Sequence, residues 1–92
     1  MRKQFTMQET IEALLSDPKS SLHITPYRCN GFNASAFIEI FIKRGKGVED
    51  YRNLFTVRID TARKIRNAVE AGKYPTLQVT RKYGDHIIRQ SI

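Results

Sequence analysis

Along this chain the apolar positions recur with two different periods, and the changes of period divide it into elements. Met7, Ile11, Leu14 and Leu15 fall on one helical stripe. Thr6 followed by Glu9 is a capping box, in which the Thr oxygen accepts a free backbone N–H and the Glu reaches back to the cap. Asp17-Pro18 stops the pattern. Together they predict an amphipathic helix from about Met7 to Ser16, packed on a sheet.

From Ser20 the period falls to two. Leu22 and Ile24 alternate with His23 and Thr25 until Pro26 interrupts, which suggests an edge strand or a bulge. Asn30-Gly31 suits a two-residue hairpin turn, since both residues tolerate positive φ. The most apolar strand follows, from about Ala34 to Arg44. Ala34, Ala36, Ile38, Ile40 and Ile42 share one face; Ser35, Phe37, Glu39, Phe41 and Lys43 share the other. A turn at Asn30-Gly31 sets Ile24 opposite Phe37 and Leu22 opposite Glu39. A one-residue bulge at Pro26 switches the face they join, and both registers stay open. Phe37 and Phe41 favour burial, on a strand covered by helices on both faces, over service as an open stacking platform for single strands.

A further strand is predicted from about Tyr51 to Ile59, with Tyr51, Phe55, Val57 and Ile59 facing one way and Arg52, Leu54, Thr56 and Arg58 the other. Asp60 is placed to cap a second helix, about Thr61 to Ala71, which Gly72 ends in the left-handed conformation. Thr76 to Ile92 reads as a hairpin across Gly84-Asp85, with Leu77, Val79, Ile88 and Ile92 on one face and Gln78, Thr80, Lys82, Arg89 and Ser91 on the other. The predicted order is α-β-β-β-α-β-β. This is an α+β fold, an antiparallel sheet of about five strands with two helices.

Composition narrows the classes. A chain of 92 residues, 40% hydrophobic and 27% charged, is expected to be one globular domain spanning 1–92. Its longest apolar stretches, Ala36-Phe37-Ile38 and Ile40-Phe41-Ile42, fall far short of the ~20 residues a membrane-spanning helix needs, so no membrane partner is expected. No apolar run follows Arg2-Lys3, so no secretory signal is read, and the single cysteine, Cys29, makes no internal disulfide. A cytoplasmic location follows as an expectation. One Cys with His23 and His86 cannot supply four zinc ligands; neither metal nor cofactor is expected.

The charge is uneven. Sixteen Lys and Arg against nine Asp and Glu leave a net +7. Residues 1–26 hold three of each sign and are neutral, so the whole excess belongs to residues 27–92. It gathers in three places. The loop Lys43-Arg44-Gly45-Lys46-Gly47 has glycines that permit close approach to a phosphate. The second helix carries Arg63, Lys64, Arg66 and Asn67 mostly off its apolar stripe of Ala62, Ile65, Ala68 and Val69, with Lys73 just beyond. The terminal hairpin adds Arg81, Lys82 and Arg89. Arg and Asn also suit guanine and adenine edges in the major groove.

Catalytic patterns are missing, and an enzyme is not expected. Asp85-His86 are neighbours at a hairpin tip, where adjacent side chains diverge. His23 reads as a half-exposed strand residue and Cys29 as a small apolar filler. Gly45-Lys46-Gly47-Val48 lacks the Ser/Thr and the helix start of a phosphate loop. The expected function is nucleic-acid binding, DNA before RNA and with a regulatory role, through Lys43, Arg44, Lys46, Arg63, Lys64, Arg66, Asn67, Lys73, Lys82 and Arg89. The alternative is a small inhibitor or adaptor docking on an acidic protein surface. A homodimer formed through a free edge at the hairpin ending in Ile92 is a further expectation.

Overall fold

The computed structural model describes residues 4–26, 35–43 and 50–91. Eight elements follow in order: β1 (Gln4–Phe5), α1 (Met7–Ser16), β2 (Ser21–Thr25), β3 (Ser35–Lys43), β4 (Asp50–Val57), α2 (Ile59–Glu70), β5 (Leu77–Lys82) and β6 (Asp85–Gln90). The fold is α+β, with a six-stranded sheet in the order β1-β4-β3-β2-β6-β5. Five strands pair antiparallel as the sequence predicts. The sixth, β1, is an addition, pairing parallel to β4.

α1 has the predicted bounds and the predicted cap. Thr6 Oγ1 accepts from the Glu9 N–H at 3.2 Å, and the Thr6 N–H donates to Glu9 Oε1 at 3.0 Å. α2 starts two residues ahead of the predicted Thr61, and Asp60 is not its cap. Arg58 holds the N-cap position in extended backbone without a side-chain cap bond, and Asp60 lies in the first turn. Ile59 accounts for the shift. As a helical residue it packs against the core beside Ala62, Ile65 and Val69, whereas one more strand residue would leave it beyond the last β4 pairing, Ala36 with Val57. At the other end Gly72 takes φ +85°, and the N–H groups of Gly72 and Lys73 donate to the carbonyls of Val69 and Ala68.

The β2–β3 register takes the switched form. Leu22 lies opposite Ile38 and Ile24 opposite Ala36, so both join the apolar face of β3. The Asn30-Gly31 turn and Cys29 lie outside the described residues. The terminal hairpin also differs by a step: Lys82 pairs with Asp85, so the turn is Tyr83-Gly84, with φ of 52° and 84°, and not Gly84-Asp85. This register sets Val79 against Ile88. The expected turn would have set Val79 against Gln90 and Ile88 against Arg81. Apolar matching across the strands outweighs turn preference here. The shift moves the pairing by two positions, so Leu77, Val79 and Ile88 stay on one face and Gln78, Thr80, Lys82 and Arg89 on the other.

Strand directions explain where the helices go. β1, β2, β4 and β5 all run parallel to one another. Hence β1-α1-β2 and β4-α2-β5 are both crossovers between parallel strands, and both advance across the sheet in the same direction. Crossovers of one hand and one direction must lie on one side of a sheet. Accordingly Leu14 of α1 and Ala62, Ile65 and Val69 of α2 share a single buried cluster with Leu22, Ile24, Ala36, Ile38, Val57, Leu77 and Ile88. The expectation of helices on both faces is therefore corrected. Among the described residues no helix covers the side of Phe37 and Phe41, and both rings are half-buried.

Candidate nucleic-acid interface

α2 turns by about 100° per residue, so Arg63, Asn67 and Lys64 span an arc of about 100° roughly opposite the buried stripe. All three are exposed. Arg63, Lys64 and Lys73 have no acidic partner among the described residues. Arg66 stands nearer the sheet, half-buried. Its Nε lies 3.8 Å from Glu70 Oε1, and its Nη2 donates to Asn67 Oδ1 at 3.3 Å. Arg81 reaches the same carboxylate from β5, with Nη2 3.5 Å from Glu70 Oε2. Glu70 thus ties the hairpin to the helix, and Arg81 extends the basic surface of α2.

The other predicted cations divide differently. Lys82 and Arg89 belong to the face of the sheet away from the helices, because Leu77, Val79 and Ile88 occupy the helix side. They do not share a surface with the outer arc of α2. Lys43 pairs in register with Asp50 at the far end of the β3–β4 ribbon. Arg44 and Lys46 lie outside the described residues. That ribbon runs past its neighbours: β2 pairs with β3 only as far as Glu39, so Ile40–Lys43 and the partnering end of β4 extend beyond the rest of the sheet.

The free side of the sheet holds a row that sequence reasoning did not assemble. Gln4, Thr56, Phe37, His23, Ile87 and Thr80 occupy successive register positions across all six strands. His23 stacks on Phe37, with ring centroids 4.7 Å apart and planes at 9°. Seeing this row from sequence requires the strand order, which puts β6 beside β2.

One polar cluster on this side invites comparison with a catalytic triad. Ser21 Oγ lies 2.8 Å from His23 Nε2, and Glu39 Oε1 lies 3.6 Å from that same nitrogen. A nucleophile–base–acid relay needs the hydroxyl on one ring nitrogen and the carboxylate on the other. With both on Nε2, the cluster is a polar network beside the Phe37 ring. Asp85 and His86 are half-buried neighbours on β6, whose side chains alternate between the two faces. Among the described residues no three His, Cys, Asp or Glu side chains gather in a way that could hold a metal ion. No helix among them is long and apolar enough to cross a membrane.

The outer arc of α2, where Arg63, Asn67 and Lys64 stand exposed with Asp60 among them and which Arg81 adjoins through Glu70, is therefore the candidate interface. No family model, curated protein or solved structure matches this chain, so these residues themselves carry the functional reading.

Proposed function

We propose that this chain is a small basic nucleic-acid-binding protein, a cytoplasmic regulator preferring DNA to RNA. The observation that carries the proposal is the outer arc of α2, where Arg63, Lys64 and Asn67 stand exposed and the cations lack acidic partners among the described residues. An unneutralised cation on a rigid element suits a phosphate, because binding releases counterions without first breaking an ion pair. A helix of 12 residues is about 18 Å long. It fits the major groove of B-DNA, about 12 Å wide, whereas the major groove of A-form RNA is too narrow for side chains to read. α1 supports the same orientation: it carries Glu9 and Glu12 and no Lys or Arg, so phosphates are drawn to α2 and turned away from its neighbour. Lys43 at the end of the projecting ribbon, with Arg44 and Lys46 next in the sequence, is assigned a second, sequence-blind phosphate contact.

A mobility-shift assay with long duplex and single-stranded DNA at 50 and 200 mM salt tests this. Binding at low salt that weakens steeply is expected. No binding to either form at low salt refutes the proposal. If Arg63 or Arg66 reads a base, its removal relaxes sequence preference, while loss of Lys46 weakens all sequences alike.

A second reading, docking on an acidic protein surface, is favoured by apolar groups beside the charge. Leu54 is 53% exposed on the uncovered face that Phe37 and Phe41 share. Capture of one stoichiometric protein after nuclease treatment, with no direct DNA binding, would select it.

A further inference from the structure

The Tyr83-Gly84 turn combines three features that packing does not explain. Tyr83 takes φ 52°, the one non-glycine residue with positive φ among those described. A two-residue turn of this kind prefers Asn or Gly there, because a Cβ crowds the following carbonyl. Its ring gains no burial in exchange, since Tyr83 is 93% exposed. Cations flank it. Lys82 Nζ lies 5.7 Å from the ring centroid, and the Arg81 side chain is 71% exposed, continuing the basic surface of α2 through Glu70.

A large planar ring held in solvent by strained backbone, at the tip of a paired hairpin and directly after two cations in the chain, has the elements of a base-stacking contact. The ring offers a π-face to any base, and the cations meet the phosphates on either side. We infer that Tyr83 stacks on an unpaired nucleobase, with Arg81 and Lys82 holding the adjoining phosphates, so that the hairpin tip engages a single-stranded segment next to the duplex held by α2. This deepens the nucleic-acid reading and rests on it.

The test compares a blunt labelled duplex with the same duplex carrying 5′ or 3′ ten-nucleotide thymidine overhangs, binding being followed by anisotropy. Wild-type protein should bind one overhang form about tenfold more tightly than the blunt one. Tyr83→Asn, which suits the turn, should raise Tm by about 4 °C and abolish that preference, leaving blunt-duplex affinity within about twofold. Tyr83→Trp should restore the preference. A 2-aminopurine in the overhang should change emission on binding wild-type protein and not on binding Tyr83→Asn. Equal affinity of wild-type protein for blunt and overhang forms overturns the stacking role alone, as does a preference that survives in Tyr83→Asn. Wild-type protein that binds neither form at low salt overturns the stacking role and the proposed function together.

Discussion

Removing Arg63 and Lys64 together should change how binding responds to salt more than it changes the fold. Both side chains are exposed, so the double variant Arg63→Ala/Lys64→Ala should keep its stability within about 0.5 kcal/mol, a Tm shift of at most about 4 °C. If Arg63, Lys64 and Lys73 each neutralise one phosphate, they contribute about −2.7 to the slope of log K against log salt on duplex DNA. Raising salt fourfold, from 50 to 200 mM, then weakens wild-type binding about 40-fold through these three contacts. With Lys73 alone remaining, the same change costs only about 3.5-fold. Phosphate contacts by Arg44 or Lys46 would add the same increment to both proteins and leave the slope difference of about 1.8 intact. Anisotropy titrations of a labelled duplex at four salt concentrations measure both slopes. Parallel lines for wild-type and variant, with the fold intact by circular dichroism, would show that phosphates are met elsewhere and refute the assignment to α2.

Three further predictions concern the scaffold. Leu14 is fully buried between α1 and the sheet, so Leu14→Ala should lower unfolding free energy by about 2–5 kcal/mol in urea titrations, the spread depending on how far the site collapses. Ser20 Oγ stands 2.8 Å from the Ala13 carbonyl and 2.7 Å from that of Asp17, but its one proton serves a single acceptor at a time. Both carbonyls already accept backbone N–H groups, so Ser20→Ala strands neither and should cost only about 1 kcal/mol by the same titration. Gly72→Ala meets no atom within 4 Å yet must adopt φ +85°, and thermal melts should show a loss of about 1 kcal/mol from backbone strain alone.

The elements set by local chemistry were legible in the sequence. Thr6 and Glu9 announce α1 within one turn of chain, and Gly72 announces the end of α2. What escaped depends on distant residues. Gln4-Phe5 is too short to show a period and becomes a strand only because β4 offers a free edge at Thr56 and Val57. Without β1 the first crossover is invisible, and with it the reason both helices share a side. The β2–β3 register turns on whether the connection holds an odd or even number of residues relative to the pairing, which a plausible turn dipeptide does not decide. For the candidate site, Arg63, Lys64 and Asn67 followed from helical spacing. The separation of Lys82 and Arg89 from them did not, because it needs the side of the sheet that α2 covers. The terminal hairpin has the free edge expected of it, and the strand order shows that this edge is β5, since β6 is paired on both sides.

That interior position of β6 has a consequence for the order of assembly. The hairpins β2–β3, β3–β4 and β5–β6 each join neighbours in sequence, so their ends meet quickly and at small entropic cost. The β2–β6 seam joins Leu22 to Ile88 across most of the chain. Closing that distance rather than the tip of a hairpin costs about 3 kcal/mol more in chain entropy, before any other contact rewards it. Both partners are fully buried, so the reward is large once it comes. The sheet is therefore expected to form as two preassembled halves whose meeting limits the rate. Truncating Leu22 or Ile88 should slow folding, and relaxing the turn at Tyr83, already formed when the halves meet, should chiefly speed folding and leave unfolding little changed.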